Sequence, residues 1–174
     1  MMTTTTTTPR IARLGHVGIH VHDLPAQEAF YTQVLGLHVT DRDDEAGLVF
    51  LSAQPDVEHH EVLLTGGRDV PIGAKLIQQV SFRCDSMDDV VGFYRRLKER
   101  GVKLDRVVTH GNAIGVYFLD PEGNRCEVYW NTGLEARQPF GVPVDLDEDA
   151  DEVMRKVRDA VAEFGATGTR VRVK

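Results

Sequence analysis

Three side chains with chemical capacity stand close together late in the chain: His110, Tyr117 and Glu127, within "HGNAIGVYFLDPEGNRCE". An imidazole can accept or donate a proton, a phenol donates a hydrogen bond, and a carboxylate is a base or a metal ligand. Upstream stand His16, the pair His60-Glu61, and Gln79. Imidazole nitrogen, carboxylate oxygen and amide oxygen all ligate divalent cations. Whether these groups can act together depends on the elements that carry them.

The segment Ile114 to Leu119 alternates and is rich in β-branched and aromatic residues, which predicts a strand. Asp120-Pro121-Glu122-Gly123-Asn124 has the composition of a turn, and Arg125 to Trp130 predicts the returning strand. With those five residues as the loop, Leu119 faces Arg125 and Tyr117 faces Glu127. Opposed residues share one face of a sheet, so phenol and carboxylate point the same way. This hairpin alone leaves two readings open. Either Glu127 is solvated and covered by Tyr117, or both face a site.

The chain repeats. "HVGIHVHDLPAQEAFYTQVLGL" (16–37) aligns with "QVSFRCDSMDDVVGFYRRLKER" (79–100) at an offset of 63. Each copy is an alternating strand followed by a helix. Asp23 with Pro25, and Ser86 with Asp89, supply N-terminal caps. Gly36 and Gly101 suit the left-handed C-terminal position. Three further strands fit each half, near 37–41, 47–52 and 60–65, then near 103–108, 114–119 and 125–130. The expected fold class is α+β: two βαβββ modules, 12–66 and 76–131, forming a half-open mixed-sheet barrel around a metal site. On the first strands, His16 and Gln79 hold the same repeat position on the polar face. The last strands add Glu127 and either His60 or Glu61, because neighbouring strand residues alternate. The matching of "HEVLL" with "CEVYW" favours Glu61. Such donors suit Fe(II), Mn(II), Ni(II) or Zn(II).

Other expectations follow from composition. Residues 1–10, "MMTTTTTTPR", read as a disordered threonine-rich tail with no apolar core of a signal peptide. Residues 11–140 form the main domain, and 141–174 a connector and helix. That helix is expected from about 148 to 164, after an extended connector, "GLEARQPFGVPVDL"; "GTRVRVK" is a short strand or a frayed end. The net charge of -7 and the absence of a basic patch argue against nucleic acid, and no apolar run suits a bilayer. Cys84 and Cys126 lie in apolar strands and read as buried thiols of a cytoplasmic protein. His20, His22 and His59 read as surface residues, and Phe30, Tyr31, Phe93 and Tyr94 as core.

Taken together, the duplication, "HVGIHV", "EHHEVLL" and "HGNAIGVYFLDPEGNRCE" resemble the vicinal oxygen chelate superfamily, over about residues 12 to 140. Within it the likeness is greatest to single-domain type I extradiol ring-cleaving dioxygenases. That resemblance implies Fe(II) as cofactor, a small catechol-type aromatic diol and O2 as substrates, and a homodimer or higher homo-oligomer. It implies His16 and Glu127 as metal ligands, His60 as acid/base, and His110 and Tyr117 as hydrogen-bonding groups around the substrate. One position departs from it, since Gln79 stands where a second histidine ligand is expected. Glutamine occurs at such positions in glyoxalase I-like members, whose four-ligand order His16, Glu61, Gln79 and Glu127 would match. A glyoxalase-like lyase or isomerase is therefore the alternative, together with a non-catalytic binding protein of the bleomycin-resistance kind.

Overall fold

The computed structural model describes residues 11, 13–75 and 77–170; the threonine tract at 1–10 lies outside them. The first module consists of β1 (Val17–Val21), α1 (Leu24–Gln33), β2 (His38–Asp43), β3 (Leu48–Ser52) and β4 (Val62–Gly66). The second consists of β5 (Val80–Arg83), α2 (Met87–Glu99), β6 (Leu104–Thr109), β7 (Ala113–Leu119) and β8 (Arg125–Asn131). Then follow β9 (Phe140–Pro143), α3 (Ala150–Phe164) and β10 (Thr169–Arg170). The sheet orders are β1-β4-β3-β2 and β10-β9-β6-β7-β8-β5. Both modules therefore have the same topology, and the two sheets do not close into one barrel.

The caps form as their residues require. The Asp23 side chain accepts from Ala26 N, and Ser86 and Asp89 make a reciprocal capping box. Gly36 (φ 80°) and Gly101 (φ 65°) follow the two helices in the left-handed region. The apolar face of α1 crosses between modules. Phe30 meets Phe118, while Tyr31, fully buried, meets Phe82 and has its hydroxyl 3.8 Å from Cys126 Sγ. Both cysteines are buried and free, and one apolar core spans both halves.

A polar clamp also joins them. Glu122, in the β7–β8 turn, pairs with Arg68 at 3.1 Å, with both side chains almost wholly buried. Its other oxygen accepts from His22 N (2.6 Å) and Asp23 N (2.9 Å) at the start of α1. Asp120 Oδ1 accepts from Glu122 N and Asn124 N, fixing the turn that presents this carboxylate. The Asp-Pro-Glu-Gly segment is thus an interlock as well as a hairpin turn.

Strand register defines which residues correspond. Val17 pairs with Val62 in β1/β4, and Val80 with Cys126 in β5/β8. His16 and Gln79 are therefore equivalent, as the repeat predicts. Glu61 and Glu127 are not: the place of Glu127 in the first module belongs to Leu63, paired with Phe50. Each module also carries a bulge in its second strand, between Val39 and Asp41 and between Leu104 and Arg106. The connector expected at 133–146 contains β9, which adds to β6 through Thr109–Val142 and Val108–Pro143. Helix α3 buries Val153 and Val157 as its apolar stripe predicts. Thr169–Arg170 pairs with Phe140–Gly141, and 171–174 lie outside the described residues.

Candidate active site

The site begins with the hairpin. Tyr117 pairs with Glu127 and Leu119 with Arg125, as turn length and alternation predict. On the next strand, Ser81 lies opposite Glu127. One cross-strand row therefore presents Ser81, Glu127 and Tyr117 on a single face. The Glu127 carboxylate, 5% exposed, accepts from Ser81 Oγ at 2.5 Å and from Gln79 Nε2 at 2.9 Å. Gly115 makes room for it: a Cβ there would overlap Glu127 Oε1. The corresponding first-module residue on β3 is Leu48, which pairs with Thr65 as Gly115 pairs with Tyr129.

Tyr117 is 3% exposed. Burial, then the hydrogen bond and charge of Glu127, push its pKa up to about 12, against a smaller opposing pull from Arg106. It therefore holds its proton throughout the neutral range. Its hydroxyl lies 2.9 Å from His110 Nε2, and His110 Nδ1 lies 2.7 Å from the Phe140 carbonyl. A carbonyl can only accept, so Nδ1 carries the hydrogen, and in the neutral ring Nε2 accepts from Tyr117. The strand after the second module thereby selects the tautomer. The His110 backbone is held as well, with its carbonyl accepting from Gln138 Nε2 at 2.9 Å. Gly111 (φ 74°) lets the loop press on Ala136 and Val161, where a Cβ would collide.

On the first module, the His16 and His60 rings lie 4.4 Å apart, and Phe50 is 5.1 Å from His60. Of the pair His60 and Glu61, Glu61 lines the cavity and His60 does not; β4 starts at Val62, so strand alternation does not fix residue 60. Glu61 lines the cavity between the modules with its Oε2 accepting from Ala53 N at 3.0 Å, while His60 stacks on His16. Burial, with the neighbouring His16 and His59, lowers the His60 pKa from its ordinary value. That cavity, about 790 Å³, has His16, Glu61, Gln79 and Ser81 on its polar side and Leu35, Leu37 and Phe93 among its apolar lining. His20, His22 and His59 are exposed, as expected.

The donors meet a cation's needs in one respect and depart in another. Glu127 is nearly removed from water and held by neutral donors, and among the described residues no lysine, arginine or histidine forms an ion pair with it. A buried carboxylate so placed retains lone pairs that a cation could take. Rotating the Gln79 amide exchanges its nitrogen for its oxygen, turning a donor to Glu127 into a ligand. Among the described residues, however, no three His, Cys, Asp or Glu side chains converge. Gln79 holds in the second module the register position that His16 holds in the first.

Some residues of this cluster were not singled out from sequence. Ser81 was legible as part of the β5 polar face, and Gly115 by its position two residues before Tyr117. The Phe140 carbonyl carries no side-chain signal.

Comparison with known proteins agrees with this architecture. Residues 13–128 match the profile of the Glyoxalase/Bleomycin resistance protein/Dioxygenase superfamily. Biphenyl-2,3-diol 1,2-dioxygenase 3 of Rhodococcus globerulus is 31% identical over 128 residues, covering 71% of this chain and 64% of that protein. Manganese-dependent 2,3-dihydroxybiphenyl 1,2-dioxygenase of Geobacillus genomosp. 3 is 27% identical over 127 residues, covering 71% of this chain and 38% of that protein. The matched segment thus spans less than two thirds of either relative. A lactoylglutathione lyase structure from Agrobacterium tumefaciens superposes with a TM-score of 0.56 at 23% identity, covering 70% of this chain and 96% of that one. No helix among the described residues is long and apolar enough to cross a membrane. By duplicated topology and by sequence profile, the chain belongs to the Glyoxalase/Bleomycin resistance protein/Dioxygenase superfamily.

Proposed function

We propose that this protein is a metal-dependent extradiol dioxygenase that opens the ring of an aromatic vicinal diol with O2. The observation that carries the reading is the strand row Ser81–Glu127–Tyr117, with His110 hydrogen-bonded to the phenol: a buried anion and two oriented proton-handling groups beside a cavity that Ser81 lines with His16 and Gln79. His16, Gln79 and Glu127 would hold the cation, Fe(II) or Mn(II), which supplies charge that eases loss of the diol's protons and an electronic path to O2.

The chain's own residues supply the rest. His60 stands over His16 with a lowered pKa, so it is the neutral base that takes a proton from the arriving diol. Tyr117 retains its proton, and its single hydroxyl hydrogen, resting on His110 Nε2, turns to the negative oxygen that forms beside Glu127. His110, fixed with Nε2 toward Tyr117, keeps that hydroxyl aimed before substrate arrives. The apolar cavity wall limits water. In the reaction, the ring bond between a hydroxylated carbon and its unhydroxylated neighbour breaks. Both oxygen atoms of O2 enter the product, giving a carboxylate and a carbonyl, and the diol supplies the electrons.

Protein loaded anaerobically with Fe(II) or Mn(II) should consume O2 and form a yellow product with at least one member of a catechol panel. Metal-loaded protein that turns over none of them sinks the reading. A second reading rests on Glu61, which lines the cavity with His16 and Gln79. A glyoxalase-like lyase or isomerase would use these donors with Ni(II) or Zn(II) and be indifferent to O2.

A further inference from the structure

The row Ser81–Glu127–Tyr117 continues by one residue onto β6, where Tyr117 lies opposite Arg106. The guanidinium carbon stands 4.2 Å from the centroid of the phenol ring. A bulge puts it there. Leu104 pairs with Phe118, so a regular ladder would set Asp105 across from Tyr117; the extra residue advances Arg106 into that position. Asp105 turns instead to Arg125, 3.1 Å away. Arg106 is exposed and makes no hydrogen bond or ion pair among the described residues. The same bulge in the first module brings Asp41 opposite Phe50, so the two rows end in opposite charges. In a chain of net charge -7, an unpaired guanidinium stacked beside the candidate centre is available to an anion.

We infer that Arg106 anchors a carboxylate on the substrate, so that the diol taken by this site carries an anionic arm. This rests on the reading of the site as a diol-binding centre. Arg106 and Glu127 are two strands apart, about 10 Å between backbones. A ring with its oxygens near Glu127 and a carboxylate on a short arm at its far side spans that separation once both protein side chains reach inward. Contact with the phenol ring uses no N–H hydrogen bond, so the guanidinium keeps its donors for a carboxylate, which it can bind bidentately.

The test separates this anchor from the dioxygenase reading. NMR titration of the full metal-free chain with phenylacetate and with its neutral counterpart phenylacetamide needs neither metal nor diol. Phenylacetate should bind the tighter of the two, and added salt should weaken it. Arg106→Met, which keeps the stacking stem, should lose about 10- to 100-fold in that affinity; Arg106→Lys should lose less. Arg155→Met, a charge loss on the outer helix α3, should bind as the wild type does. Equal binding of the two ligands by the wild type, or equal binding of phenylacetate by wild type and Arg106→Met, overturns the inference. In a second arm, kcat/KM of the metal-loaded protein is compared for a catechol with a carboxymethyl arm and one with a hydroxyethyl arm. The wild type should favour the acid and Arg106→Met should lose the preference. Turnover without any such preference leaves the dioxygenase reading standing and the anchor refuted. Arg106-dependent phenylacetate binding without turnover of any diol supports the anchor and refutes the chemistry.

Discussion

Gly115→Ala tests the buried carboxylate without touching any donor. Gly115 lies on β7 two residues before Tyr117 and shares its face. Its φ is not positive, so the backbone itself accepts alanine. The added Cβ would overlap Glu127 Oε1 and come within 3.3 Å of Glu127 Cδ and 3.4 Å of Tyr117 Cε2. Overpacking of this kind costs about 1–3 kcal/mol. Lower entropy of the unfolded chain returns about 0.4–1 kcal/mol. The net loss, about 1–2 kcal/mol, lowers Tm by roughly 2–8 °C in a chain of this size. The site loses more than the fold. Pushing the carboxylate aside misaligns its contacts from Ser81 and Gln79. It also displaces the carboxylate proposed as the anionic ligand, so Fe(II) affinity should fall by about tenfold or more. Calorimetric melting and anaerobic metal titration measure the two effects. Gly18→Ala is the comparison, since nothing lies within 4 Å of a Cβ at that position. Melting within about 1 °C of wild type, together with unchanged metal affinity in Gly115→Ala, refutes the placement of Glu127 on which the site depends.

Three further outcomes are expected. Gln79→His should tighten Fe(II) binding, because imidazole is the stronger donor; a titration showing no change removes position 79 from the ligand set. Arg68→Met leaves Glu122 buried without its cation and should cost about 3–5 kcal/mol, visible in urea unfolding; a loss under about 1 kcal/mol means water solvates the pair. Tyr31, Tyr94 and Tyr117 all have raised pKa values, burial being the first cause in each. Their unfolded forms release protons first, so the stability they contribute is intact below about pH 10 and drains away as pH rises through the folded values. Ultraviolet alkaline titration of the native protein should show these tyrosines ionising late, and ionisation of all four near pH 10 contradicts that.

The duplication and the Tyr117–Glu127 pairing were legible because both rest on local rules. Capping residues, strand alternation and a five-residue turn need no knowledge of distant contacts. The equivalence of His16 and Gln79 was legible for the same reason, since an unbroken strand–helix unit keeps a constant offset. That constancy fails at the hairpins. Loop lengths differ between modules, and "HEVLL" slides onto "CEVYW" by composition although the ladder matches Leu63 with Glu127. The bulges were silent because the extra residues, Thr40 and Asp105, are ordinary strand-compatible side chains. β9 was read as connector because it is short, interrupted by Gly141 and Pro143, and stabilised by an edge that only the folded second sheet provides. The Phe140 carbonyl could not be found at all, since a backbone acceptor leaves no mark in side-chain chemistry.

Register also explains how two halves of one topology come to do different work. The row Arg106–Tyr117–Glu127–Ser81 corresponds to Asp41–Phe50–Leu63–Gly18, strand for strand and bulge for bulge. A phenol has become a phenyl, a carboxylate an isobutyl group, and a hydroxyl a hydrogen. The second sheet can hold an anion and aim protons; the first offers apolar surface and, at its margin, the stacked His16 and His60. The diol proposed as substrate, a planar ring with oxygens on one edge, would be suited by both kinds of surface, one to bind the oxygens and one to hold the ring. Two identical polar rows would instead bury a second carboxylate, at a further desolvation cost. The asymmetry therefore lies in the side chains along one row of each sheet, and the repeated fold supplies the frame that carries them.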